Sequence, residues 1–481
     1  MKITVNSTPL HPVSRDLYMQ FMEPLGKTDG SVEAGWDFEK GDWREDFIRV
    51  TRELAPSLIR FGGVFSSYYK WQEGVGPTRT PVYNVEWGGL ETNVVGTHEF
   101  VDFCRRVGAE PFFNVNFESD GNPRWAYPSF GPDRDRRGFA EDAAAWVAYC
   151  NDPDDKLRRS HGHPDPYRVG LWEIGNETSY HKNGFTASEA AKKTVAFARA
   201  MKAVDPTVRL MGWGGRGFAR EMLDTSGVYL ELIDYHNLYG RELKRGDTPL
   251  LDEDYRRDPA ATWVALMKTP DFNRPLIDSI REDLSPYPGK RAAICESHYA
   301  LRAKNRGQVL STFAAGAGYA RMCNLYEKNG DVLAIANTSD FSGNLWMVNS
   351  VMFPTPPGWK VPAYLMPVGI VSALFSKNMG TARVFCDAPT DLDIAASRDG
   401  NDYYLHIVNT SFDRAATLPL TLDGKPITEG ETLLLKADPL FEVGDYTAGQ
   451  LVPETIPHEG DFWTIPAASV SVLHFKSPAA K

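Results

Sequence analysis

Glu177 and Glu296 each stand at the end of a short apolar run. Val169 to Ile174 leads through Gly175-Asn176 to Glu177, and Ala292-Ala293-Ile294-Cys295 delivers Glu296. Two carboxyl groups set at strand ends of a barrel are what double-displacement hydrolysis of a glycosidic bond requires. One, protonated, assists the leaving group; the other, ionised and about 5 to 5.5 Å away, attacks the anomeric carbon. Glu177 is the better acid/base candidate, because the amide of Asn176 beside it could hold a sugar hydroxyl; Glu296 is then the nucleophile. Either glutamate alone reads more readily as a salt-bridged or surface residue, so the paired setting carries the reading.

Other strand ends supply candidate sugar contacts. Glu23, in Phe21-Met22-Glu23-Pro24-Leu25-Gly26, could accept from two vicinal hydroxyls or cap a loop. Asn114 and Asn116 punctuate a third run, where a buried amide needs a ligand or a structural partner. His236 ends another run and is open to a structural role or to a hydrogen bond with nucleophile or sugar. Trp71, Trp213 and Tyr239 are candidates for stacking or hydrogen bonding, with core packing as the alternative.

The elements that must position these residues are legible as eight short apolar runs: Leu17 to Met22, Ser57 to Arg60, Pro111 to Asn116, Val169 to Ile174, Val208 to Met211, Leu232 to His236, Ala292 to Cys295 and Val332 to Ala334. Amphipathic stretches alternate with them, among them Asp46 to Leu54, Thr97 to Arg106, Ala140 to Tyr149, Ala187 to Val204 and Gly307 to Lys328. This alternation fits a doubly wound sheet as well as a (β/α)8 TIM barrel; polar residues ending most strands favour the barrel, whose active sites lie at that face. Beyond about residue 360 short alternating strands replace helical periodicity: Leu392 to Ala396, Tyr403 to Asn409, Thr417 to Leu422, Glu431 to Lys436 and Thr464 to Phe475. Ser397 to Asn401 and Leu422-Asp423-Gly424 read as hairpin turns, so the tail is expected to be an antiparallel β-sandwich. The strand Lys2 to Val5 has no helix after it and is expected to pair there. The expected division is a catalytic barrel over 15–360 and a sandwich over 361–481 plus 1–14, with Pro354 to Gly358 approaching the junction.

The 481 residues suit a barrel plus an accessory domain, and 42% hydrophobic with 12% aromatic residues gives both a large core and rings for a sugar cleft. A net charge of −11 argues against nucleic acid and anionic membranes and favours a neutral substrate. The five cysteines, odd in number and mostly in apolar segments, read as reduced core thiols without zinc spacing. With no charged-then-apolar leader at Met1-Lys2-Ile3 and no long apolar run, cytoplasmic residence is expected.

Taken together these motifs resemble glycoside hydrolase family 51 of clan A, dominated by retaining α-L-arabinofuranosidases. Phe21 to Gly26 is similar to the family's F-I-E-H-L-G. Gly62-Gly63-Val64-Phe65 with Ser67, Tyr69 and Trp71, then Gly74 to Pro77, follow G-G-N-F-x-S-x-Y-x-W and G-I-G-P. Glu110-Pro111, Asn114-Val115-Asn116, Trp146-Val147 and Tyr149-Cys150-Asn151 resemble its next segments in order. Gly175-Asn176-Glu177 matches the G-N-E that carries the acid/base, and Glu296 falls where the nucleophile lies; Asp234, His236 and Tyr239 follow the family loosely. Val64 stands where the family places a sugar-binding asparagine, Pro24 replaces a histidine, Tyr239 is spaced H-x-x-Y from His236, and Glu296-Ser297-His298 replaces an E-W-N segment. The resemblance implies a barrel plus a sandwich, arabinofuranosidase activity on oligosaccharides from plant polysaccharide, and homo-oligomers. No cofactor and no metal is expected. A galactofuranosidase or endoglucanase with the same glutamates is the near alternative; a carbohydrate-binding protein on a dead scaffold is the distant one.

Overall fold

The structure is a computed structural model and describes residues 2–29, 31–84, 86–117, 138–180, 185–354 and 361–477. Eight parallel strands follow one another in space in chain order: β1 (Gln20–Met22), β2 (Leu58–Phe61), β3 (Glu110–Val115), β4 (Leu171–Ile174), β5 (Arg209–Trp213), β6 (Leu232–Tyr239), β7 (Arg291–Tyr299) and β8 (Leu333–Ala336). The curled sheet brings its edges together where Met19 N donates to Ala336 O at 3.1 Å. A helix follows each strand: α1 (Glu45–Leu54), α2 (Thr97–Val107), α3 (Ala140–Asn151), α4 (Ala187–Val204), α5 (Ala219–Ser226), α6 (Arg274–Leu284), α7 (Phe313–Lys328) and α8 (Pro367–Lys377). Local chemistry sets their ends. Thr186 caps α4 in a reciprocal box with Glu189, and α2 stops at Gly108, whose φ of +81° suits a residue without Cβ.

The expected eight strands are all present, and the TIM-barrel reading holds. One expectation fails: helical periodicity does not end at residue 360, because α8 lies beyond it and packs against α7 and α1 as the eighth barrel helix. Of its eleven residues only Lys377 is exposed, so its sequence is apolar all round and shows no amphipathic stripe. Pro367 at its first turn is the start signal that was there to read. We therefore propose a domain junction near Asn378 in place of 360. Of the Pro-rich segment 354–358, all but Pro354 lies outside the described residues.

The remainder forms a nine-stranded sheet into which the N-terminal strand Ile3–Pro12 is built, antiparallel to Ala382–Asp387 and parallel to Leu420–Leu422. Its other pairings are antiparallel, and a separate ladder joins Ala416–Leu418 to Trp463–Ile465. Ile3, Val5, Leu405, Leu422, Trp463 and Phe475 share one core, so strands distant in the ladder bury the same interior. The turn Asp423-Gly424 has φ of +49° and +80°, the hairpin geometry expected from its sequence.

Inside the barrel, Leu58, Phe112, Leu171, Met211, Leu232 and Ala293 form an apolar plug. Side chains repeat on one strand face every second residue. The residues two further along, Arg60, Asn114, Glu173, Trp213, Asp234 and Cys295, therefore build the next layer toward the C-terminal mouth, and that layer is mostly polar. A register shift between Tyr235 and His236 sets Glu296 opposite His236 and leaves Cys295 out of the pairing. The Cys295 amide donates instead to Asp234 Oδ1 at 3.0 Å, so the bulge that aims Glu296 is held by a side chain of the polar layer.

Candidate active site

Arg60 is the hub of the polar layer. Wholly buried, it donates from Nε to Glu173 Oε2 at 2.8 Å, from Nη1 to Glu296 Oε1 at 2.7 Å and from Nη2 to Asn176 Oδ1 at 2.8 Å. The planar fork thus ties β2 to the ends of β4 and β7 in one geometry. A buried guanidinium without such partners would cost several kcal/mol, of the order of the penalty for each desolvated ion.

Beyond Ile174 the chain turns through Gly175, with φ of +84°, to Glu177, itself left-handed at +50°. That conformation costs a non-glycine residue roughly 1–2 kcal/mol. It swings Glu177 back to His236, whose Nδ1 lies 3.0 Å from Glu177 Oε1 and 3.7 Å from Glu296 Oε2. One carboxyl oxygen of each glutamate and the His236 nitrogen all lie within 4.8 Å of one another. On the other side of the ring, His236 Nε2 sits 2.9 Å from Asp234 Oδ2. Burial opposes the charged imidazole, but Glu296 and Asp234 outweigh it and hold His236 well above its ordinary range. Asp234 is held correspondingly low against its burial by His236, while burial pushes Glu173 up, with Arg60 opposing and Asp234 reinforcing.

A cavity of about 420 Å³ opens from Glu296 and is lined there by Glu23, Trp87, His298, Asp340 and Trp346. Glu23 Oε1 accepts from Phe65 N and from Trp87 Nε1, each at 3.2 Å. Burial and then the Glu296 charge raise both Glu23 and Asp340 well above the usual carboxylate range. Gly63, with φ of +108°, lets Glu23 in: a Cβ there would sit 2.4 Å from its carboxyl carbon.

Of the residues expected from sequence, Glu177, Glu296, Asn176 and His236 come together, and Glu23 joins them on the cavity wall. Asn114 belongs to the polar layer, yet its amide is spent between Ser66 Oγ and Gly175 O. Asn116 binds Tyr69 O and Gly138 N. Trp71 is not brought to the carboxyl groups: it stacks on Trp146 in the core and donates to Asp142 O at 3.1 Å. Tyr239 is likewise core, stacked on Phe272 and edge-on to Tyr299. Trp213 takes an intermediate place, its indole on Ser179 Oγ and its ring edge-on to His236 at 4.8 Å. Sequence reading missed Arg60, Glu173 and Asp340 as site residues. Arg60 and Glu173 were signalled by the two-residue step from Leu58 and Leu171, which turns a strand-end charge inward.

Among the described residues, Glu173, Asp234 and His236, and Glu177, His236 and Glu296, each gather three atoms of metal-ligand type. Both sets share His236, whose carboxylate neighbours favour its charged form, and border the Arg60 guanidinium, so positive charge there opposes a further cation. This donor set fits acid/base and nucleophilic work better than metal binding.

A family model described as the alpha-L-arabinofuranosidase 1 domain matches residues 50–257. An intracellular exo-α-(1→5)-L-arabinofuranosidase of Halalkalibacterium halodurans is 32% identical over 248 residues, 47% of this chain and 46% of that protein. The chain spans about half the length of the curated relatives it matches. In structure it is similar to the α-L-arabinofuranosidase of Thermotoga maritima in an arabinose complex (TM-score 0.77, 22% identity, 99% and 100% of the two chains). It is also similar to a family 51 α-L-arabinofuranosidase of Bifidobacterium longum (TM-score 0.78, 19% identity, 98% and 99%). The chain thus resembles the family 51 α-L-arabinofuranosidases, in sequence over residues 50–257 and in fold along nearly its whole length.

Proposed function

We propose that the protein is a retaining glycoside hydrolase, an α-L-arabinofuranosidase acting on oligosaccharides derived from plant polysaccharide. The observation that carries this is that a Glu177 and a Glu296 oxygen lie within 4.8 Å of one another, which excludes the wide carboxyl spacing of inverting enzymes and suits two acids acting on one anomeric carbon. Glu296, oriented by Arg60, attacks the anomeric carbon; the glycosidic bond breaks and its oxygen takes the Glu177 proton. Water then gives a proton to Glu177 and attacks the same carbon, and the ester bond to Glu296 breaks. The Asn176 amide nitrogen, buried and without a partner among the described residues, is a donor for a sugar hydroxyl. Similarity to arabinofuranosidases supports arabinofuranose as the sugar, and similarity to the intracellular enzyme of Halalkalibacterium halodurans supports cytoplasmic residence. A homo-oligomer, with no cofactor, nucleic acid or membrane partner, completes the reading. Nitrophenyl furanosides and pyranosides test it: arabinofuranoside turnover that Glu296→Gln abolishes supports it, and binding of sugars without turnover of any glycoside overturns it. Val64 favours a second reading with the same mechanism, since a sugar-binding amide is missing there. Faster turnover of a galactofuranoside would establish that.

A further inference from the structure

Resting on the glycosidase reading, we propose that the cavity beyond the cleavage point binds an anionic sugar unit, a uronate next to the bond that is cut, through Arg241 and Arg306. Both arginines line the cavity that Glu296 opens into. The chain carries a net charge of −11, and most of its described arginines hold a carboxylate, a carbonyl or an aromatic ring. Among the described residues, Arg241 and Arg306 hold none, and both side chains are exposed at the cavity mouth.

Their placement is built. β6 ends at Tyr239, Gly240 turns with φ of +85°, and Arg241 follows at the barrel mouth. Four residues lie between it and His236, so at about 3.3 Å per residue the two are at most roughly 16 Å apart, which keeps Arg241 in reach of a sugar next to the cleaved one. Arg306 is itself left-handed at +63°, a conformation that costs a residue with a Cβ, while Gly307 after it takes φ of +71° without strain, in the loop that connects β7 to α7. Arg241 bears on the cavity directly, because its charge is among those that depress the buried His298 on the same wall, after burial itself. Leu238, Leu301 and Met347 complete the lining around the arginines with apolar surface, against which the face of a pyranose ring would pack.

The chemistry that matches two unpaired guanidinium groups is a carboxylate, accepted in the bidentate mode arginine favours. The ionised nucleophile would repel such a group, and the arginines offset that. A neutral sugar would leave both without an ionic partner.

Calorimetry on the full chain tests this with two probes, xylotriose carrying one glucuronic acid and plain xylotriose. The acidic probe is expected to bind about tenfold tighter, as charge-assisted hydrogen bonds allow. That advantage should shrink as NaCl rises from about 20 to about 300 mM. It should vanish in the Arg241→Ala/Arg306→Ala double variant and survive in part with lysine at both positions. Equal affinity for the two probes, or a preference retained by the alanine double variant with a wild-type melting temperature, would overturn the proposal. Because the readout is binding, loss of the glycosidase reading would appear separately, as acidic-probe binding without any glycoside turnover.

Discussion

Arg60 reaches Glu296 across 236 positions of sequence and meets its Oε1 at 2.7 Å in an interior that excludes solvent from the guanidinium. The same side chain holds Glu173 and Asn176, so one cation fixes the distance between two strand ends. Arg60→Ala leaves buried carboxylates without their counter-ion and should cost about 3–5 kcal/mol of stability. Arg60→Lys keeps the charge without the fork and should retain the fold while lowering kcat/KM by about a hundredfold, in line with misplacement of reacting groups. Thermal melts and steady-state kinetics separate the two variants; an Arg60→Lys enzyme of wild-type kcat/KM would show that the fork is not needed.

His236 stands between the two glutamates and is held by Asp234 behind it. His236→Gln keeps a hydrogen-bonding group but removes the charge and the second contact, so kcat should fall about 10²-fold, the lower range for a positioned acid/base partner, with KM little changed. A fall confined to KM would make His236 a sugar contact instead.

All eight barrel strands were legible because a buried strand reads as a short apolar run ended by a polar residue, and Glu177 and Glu296 were legible as those ends. The rest was hidden for physical reasons. α8 is buried on every side and shows no period, and Arg60 at the end of β2 looks like a surface charge until the apolar residue two positions before it is seen to face inward. Trp71 reads as a site residue in sequence because aromatic residues near strand ends serve sugar stacking and core alike; its partner Trp146 comes from α3, a contact that spacing does not reveal.

A Cβ at Gly63 would meet the Glu23 carboxyl, and the residue has a φ of +108°. Gly63→Ala would push Glu23 out of the cavity wall or strain the backbone, at about 1–3 kcal/mol for overpacking. A lower melting temperature together with a raised KM is expected; unchanged values of both would mean that Glu23 is free to move.

Asp29 clamps the cavity loop: its Oδ1 accepts the amides of Asn344, Leu345 and Trp346, and its Oδ2 accepts from Asn349. Burial outweighs those hydrogen bonds and pushes its carboxyl up to about 7. The folded protein therefore holds a proton that the unfolded chain has released above about pH 4. The stability so gained is complete below that pH and is lost as pH rises through about 7. Melting temperatures measured from pH 4 to 8 should decline across this window in the wild type and flatten in Asp29→Asn. An unchanged slope in the variant would remove Asp29 from the account.

In the proposed mechanism Glu296 forms a covalent ester with the sugar while Glu177 serves the leaving group. Intact-mass and peptide mass spectrometry after incubation with a 2-deoxy-2-fluoro-arabinofuranosyl donor bearing a good leaving group tests it most directly. One fluoroglycosyl unit per chain is expected, on the peptide that contains Glu296. An enzyme that turns the donor over without any adduct, or that carries the label on Glu23, Asp340 or Glu177, would contradict it.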